Sequence, residues 1–179
     1  GAPVEAHAEG VRFVSQVMLE KLDEPVDAVI TTSAGYPLDL TYYQSLKGVT
    51  AAQHIVKPGG RILLVAACQE GPGGSEFRQM LRDHPSDRQF MNAIEKAPVV
   101  VDQWQLEKLA LVTERMQVLF YVPGLPAEYY PTLWGPVYSS AEDAVRALFD
   151  GLPAGASVAI IPEGPYVLAK TAAGVGTAA

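Results

Sequence analysis

The chain has 179 residues, 49% hydrophobic and 18% charged, which suits one buried core with a small second lobe at most and excludes a disordered chain. Its formal net charge is −7, from 20 acidic against 13 basic side chains with no Lys/Arg cluster, so nucleic acid and anionic membranes are poor partners. Cys68 is the only cysteine, which rules out an internal disulfide and fits a reducing, cytoplasmic setting.

No apolar run approaches the ~20 residues that a bilayer span needs. The first residues also lack the basic head and apolar run of a secretory signal. The opening Gly1-Ala2-Pro3 suits a domain cut from something longer.

Val11, Val14, Met18 and Leu22 recur at helical spacing and predict an amphipathic helix over 4–22. DAVITT (27–32) reads as a buried strand, and a helix follows over 40–56, stopped by Pro58-Gly59-Gly60. RILLVAAC (61–68) does not alternate and predicts a strand covered on both faces. After the loop QEGPGG (69–74), short helices are expected over 75–83 and 87–96, and a longer one over 102–116 with Asp102 as its cap.

QVLFYV (117–122) is the third strand, and the proline-rich 123–138 is mostly loop with one helical turn. Ala141, Ala144, Val145 and Leu148 mark the last helix, between a Ser140 cap and a Gly151 stop. SVAII (157–161) and 166–169 are late strands, and 171–179 reads as a flexible tail, leaving 1–170 as a single domain. Strands alternating with helices predict an open three-layer α/β fold, Rossmann-like, with a mostly parallel sheet and helices on both faces. Ligands of such sheets bind at the carboxyl ends of the strands, which places SAGYPLD (33–39) and QEGPGG on one functional rim.

At ~100° per residue, Tyr43, Gln44 and Lys47 share one face of the helix after the first strand, opposite Leu46, Val49, Ala52 and Val56. That face stands near a helix amino end, where an anion could be held. The same residues also read as an ordinary capped and solvated helix, because Thr41-x-x-Gln44 has capping-box spacing, and pattern alone favours this reading. Gly71-Pro72-Gly73-Gly74 offers amides to a phosphate or carboxylate, yet it matches no nucleotide fingerprint and reads more simply as a strand-to-helix turn. Trp104, with Leu106 and Leu109, reads as core or a cover over it. His7, His54 and His84 have no partner at metal-ligand spacing, and neither Cys68 nor any serine stands in a nucleophile motif.

SAGYPLDLTYYQSLKGVTAA, KPGGRILLVAACQEGPGG, DQWQLEKL and VAIIPEGPY follow one another in an order that resembles the C-terminal domain of the nickel-dependent lactate racemase family. TTSAG stands where that family more often has an asparagine-glycine-glycine turn. The resemblance implies a racemase or epimerase of 2-hydroxy acids with its active site between two domains. It also implies a nickel pincer nucleotide and two acid–base histidines, all held by an N-terminal domain outside this chain. Within the chain it implies Gln44 and Lys47 as the catalytic pair against the substrate carboxylate or hydroxyl. Tyr43, Trp104 and Leu106 would shape the pocket, and no residue here would bind metal. A non-catalytic α/β module for anions or nucleotides stays open as the alternative.

Overall fold

The computed structural model describes residues 1–172. Pro3, at a position where its missing amide costs nothing, opens α1 (Pro3–Met18). The helix was expected to run to Leu22, but Leu19–Leu22 leave it to form β1, a short strand paired in parallel with β6 (Leu168–Thr171). Pairing with β6 satisfies the backbone there, and Leu22 turns toward the core. No α1 side chain is buried, and Val11 and Val14 of its expected inner face are 51% and 45% exposed. Thr171, expected to begin a loose tail, is the buried last residue of β6; positions 173–179 lie outside the described residues.

The main sheet contains β2 (Val26–Thr32), β3 (Val56–Val65), β4 (Gln117–Tyr121) and β5 (Val158–Ile161) in spatial order β4-β3-β2-β5, all parallel. Numbered along the chain this is 3-2-1-4, the leading part of the doubly wound order. Ile62, Leu63 and Leu64 of β3 are all fully buried, as a strand covered on both faces requires. Pro58-Gly59-Gly60 does not separate helix from strand as expected. It lies inside β3, where the register against β2 slips between Val26 and Ala28. A side chain at Gly60 would meet the Asp27 carbonyl at 2.6 Å.

The two faces are covered unequally. One packs Val29, Ile62, Leu64, Val118 and Phe120 against α2 (Tyr42–Ala52), α3 (Ser75–Asp83), α4 (Asp87–Ile94) and α5 (Gln103–Thr113). The other sets Ala28, Leu63 and Leu119 under α6 (Ala141–Asp150), through Ala144 and Leu148. Ser140 caps α6 as predicted, accepting from the Asp143 amide at 3.0 Å. The proline-rich segment contains one 3-10 helix, Ala127–Thr132. Among the described residues no helix is long and apolar enough to cross a membrane.

The loops after β2 and β3 share one rim. The Cys68 amide donates to the Asp39 carbonyl at 2.8 Å, the Glu70 amide to the Leu40 carbonyl at 2.8 Å, and the Ala67 amide to the Asp39 carboxylate at 3.0 Å.

Candidate functional site

The amino end of α2 is closed by the molecule itself. Thr41 Oγ1 accepts from the Gln44 amide at 3.3 Å, while the amides of Tyr42 and Tyr43 donate to the carbonyls of Gly71 and Pro72, each at 3.0 Å. Two expectations change as a result. The first turn of α2 has no free amide for an anion, and the QEGPGG loop serves as a shelf of acceptors for α2 instead of a cradle of donors.

The crevice between the ends of β2 and β5 is also filled. In a 3-2-1-4 sheet the strand order reverses between β2 and β5, where a nucleotide would enter. Here Ser33 bridges to Glu163, Thr32 Oγ1 donates to the Pro162 carbonyl, and Gly164 lies against α2. A Cβ at Gly164 would stand 2.6 Å from the Thr32 carbonyl oxygen and 2.8 Å from Gly48 Cα. One at Gly48 would stand 2.5 Å from that same oxygen. Backbones this close leave no room for a ligand between β2 and β5, while a hollow of about 250 Å³ stands open beside them at the carboxyl ends of β2, β3 and β4, lined by Thr32, Gly35, Asp39 and Tyr121 among others.

The outer side of α2 and the start of α5 are open as well. Tyr43 is half-buried, with its ring edge-on to Phe77 (5.2 Å) and to Trp104 (6.1 Å). Gln44 is half-buried and Lys47 exposed, with Lys47 Nζ donating to Gln44 Oε1 at 2.5 Å. Trp104 is 44% exposed and carries Lys108 Nζ 4.9 Å from its ring centre. The structure thus groups Tyr43 with Trp104, and Gln44 with Lys47. Lys47 and Trp104 line the same groove between α2 and α5.

Leu106 is the exception among the predicted pocket residues. It is fully buried in the core and offers no surface to a ligand, so it acts only as packing behind α5. Asp102 does not cap α5 with its side chain as expected. Its backbone is left-handed (φ 66°), which turns the carboxylate away from the helix amides and toward Gly74 and the Tyr43 hydroxyl. Burial first, and then the neighbouring Asp102 carboxylate, raises the Tyr43 pKa above the usual phenol value, so Tyr43 stays a neutral donor.

Sequence reasoning missed three groups here. Lys108 was detectable as the i+4 neighbour of Trp104. His54, weighed in the sequence only as a metal ligand, follows the end of α2 and lines the same groove as Lys47. Gln105 gave no sequence signal.

The remaining candidates are structural. His7 is exposed on α1, and His84 packs against Phe90 at 5.7 Å. Cys68 is buried 3.5 Å from Ser45 Oγ, and burial pushes its thiol up to about 11. Among the described residues no three His, Cys, Asp or Glu side chains converge as a metal site would need. A hollow of about 610 Å³ lies near Gly59, Gln117 and Trp134, at the amino ends of the strands and away from this rim.

The fold is that of a parallel α/β domain with helices on both faces of its sheet. Residues 22–169 match the lactate racemase C-terminal domain family, and the chain belongs to it. It is 29% identical to the lactate racemase of Thermoanaerobacterium thermosaccharolyticum over 173 residues, covering 95% of this chain and 40% of that protein. It is also 29% identical to the lactate racemase of Lactiplantibacillus plantarum, covering 92% of this chain and 39% of that protein. The chain therefore spans about two-fifths of the length of these relatives.

The solved lactate racemase apoprotein from Thermoanaerobacterium thermosaccharolyticum superposes with a TM-score of 0.83 at 29% identity, covering 92% of this chain and 40% of that one. A Thermotoga maritima protein superposes with a TM-score of 0.57 at 14% identity, a likeness of fold alone.

Proposed function

We propose that this chain, taking residues 1–170 as one domain, is the C-terminal wall of a cytoplasmic nickel-dependent racemase or epimerase of 2-hydroxy acids, with lactate the leading substrate. The observation that carries this is the Lys47–Gln44 pair beside Trp104. It places a cation on an open face with no carboxylate in ion-pair range among the described residues. A structural lysine would gain little from such isolation, whereas a 2-hydroxy acid anion supplies the missing counter-charge.

In this reading Lys47 binds the substrate carboxylate or hydroxyl and Gln44 fixes its orientation. Tyr43 and Trp104 close the site against water, and the other domain covers the face so that the lysine acts in a drier medium. In this reading the nickel-carrying nucleotide is held by the other domain. When bound there it supplies a hydride acceptor for the substrate α-hydrogen.

The test is to incubate the full-length, cofactor-loaded protein with one enantiomer of lactate or a longer 2-hydroxy acid and follow the other by chiral chromatography. Interconversion that is lost in Lys47→Ala supports the reading. Equal rates in the two proteins would remove Lys47 from the site, and the absence of interconversion with any 2-hydroxy acid would overturn the reading as a whole.

A further inference from the structure

The groove that Lys47 and Trp104 share continues along α2 and α5 past the site just described. It holds about 370 Å³, within the range of small-ligand pockets. Its walls carry Lys47 from α2, His54 from the turn just after α2 and Lys108 from α5, and no acidic residue lines it. Neither lysine has a carboxylate within ion-pair distance among the described residues. Partial desolvation of the ring, then the charges of Lys170 and Arg115, lower the His54 pKa.

Gln105 supplies the second, independent observation. This groove residue is 1% exposed, and both its amide nitrogen and its amide oxygen are buried without a hydrogen-bond partner. A buried amide left unsatisfied on both sides destabilises a fold, and a leucine of similar size at that position would not. A polar group held at such a cost beneath a cationic groove is suited to a ligand that brings the missing partner.

We infer that the α2–α5 groove is a second oxyanion subsite, in which Lys108 and Lys47 meet a carboxylate or phosphate group and the Gln105 amide donates to it. The neighbouring substrate wall is taken from the reading above, but the groove's affinity for anions does not depend on it. Two sources share this chemistry: a second carboxylate on the substrate itself, and a separate phosphate-bearing molecule.

The experiment is titration calorimetry of the full-length protein with succinate and, separately, with inorganic phosphate. Parent, Lys108→Ala and Gln105→Leu are compared, with melting curves for all three. The expected result is saturable binding of at least one anion, weakened tenfold or more in Lys108→Ala and in Gln105→Leu, with Gln105→Leu melting at or above the parent. Succinate binding alone assigns the subsite to a second carboxylate, and phosphate binding alone assigns it to a phosphate group. Absence of saturable binding for both anions, or equal affinity in parent and Lys108→Ala, overturns the inference. Racemisation of lactate is measured on the same samples: turnover without anion binding removes only the groove, and anion binding without turnover removes only the racemase reading.

Discussion

Lys47 Nζ lies 2.5 Å from Gln44 Oε1, one helical turn away on the same side of α2. The bond uses one of the three ammonium donors and the Gln44 acceptor, leaving the other ammonium hydrogens and the Gln44 NH2 for a ligand. Lys47→Ala is expected to lower kcat/KM at least about tenfold, because a charge-assisted bond in a dry cleft contributes roughly 1.5–3 kcal/mol. Stability should change by no more than about 0.5 kcal/mol, as for other exposed positions. Lys47→Arg keeps the charge but misplaces it and should be impaired as well. Turnover rates and melting temperatures of both variants beside the parent decide the matter.

Gly48 is the point where α2 comes closest to β2. A methyl group there meets the Thr32 carbonyl oxygen at 2.5 Å, and backbone does not give way as a flexible side chain does. Gly48→Ala should cost about 1–3 kcal/mol in denaturant unfolding, as overpacking typically does. Gly10→Ala is the control: nothing lies within 4 Å of that Cβ on exposed α1, so the change should stabilise by about 0.5–1 kcal/mol.

Asp27 ties the amino end of β2 to its neighbours. Its carboxylate accepts from Lys57 Nζ at 2.8 Å, from the Ser157 amide at 2.8 Å and from Ser157 Oγ at 3.0 Å. The Lys57 bond first, and the Ser157 amide second, lower its pKa from 3.8 to about 2. A folded pKa below the unfolded one contributes stability that is complete above the unfolded value and lost as pH falls toward the folded one. Unfolding free energy should therefore drop between about pH 4 and pH 2, and drop less steeply in Asp27→Asn. Equal slopes for the two proteins across that window would refute the assignment.

Cys68 should resist alkylation in the native protein at mildly alkaline pH. The thiol is fully buried and its pKa stands at about 11, so little thiolate is present and reagents have no access. Labelling followed by mass spectrometry should show modification only as fast as the chain unfolds. Rapid labelling of the folded chain would contradict the burial.

Much of this molecule was legible from periodicity. The apolar runs at β2 and β4, the helical spacing of α6 and the Ser140 cap depend on local pattern and appear within a residue of where expected, whereas β3 runs over Val56–Val65 instead of 61–68 and takes Val56 from the expected helix. β1 was not legible, because LEKL continues a helical pattern and becomes a strand only when β6 arrives from more than a hundred residues away. Pro58-Gly59-Gly60 has the composition of a stop, but the register slip that uses it inside β3 is a property of the pair of strands. At the site, helical geometry grouped Tyr43, Gln44 and Lys47, but it carried no information about Tyr43 turning in to meet Phe77. Nor could it show that Asp102 swings away from its own helix or that Gln105 lacks a partner, since both depend on contacts between distant segments.

The Gly71 and Pro72 carbonyls that take up the first amides of α2 also affect how the surface can diverge. Where a backbone grips a ligand, its preference is built into the chain path and changes only if the path changes. Here the path is occupied with its own closure, so in the proposed racemase reading recognition on this face rests on a few replaceable side chains. In that reading, exchanging the residues at positions 44, 47, 104 or 108 should alter what the wall accepts and leave every strand pairing in place. A scaffold of this kind can serve relatives with different ligands through point substitutions alone.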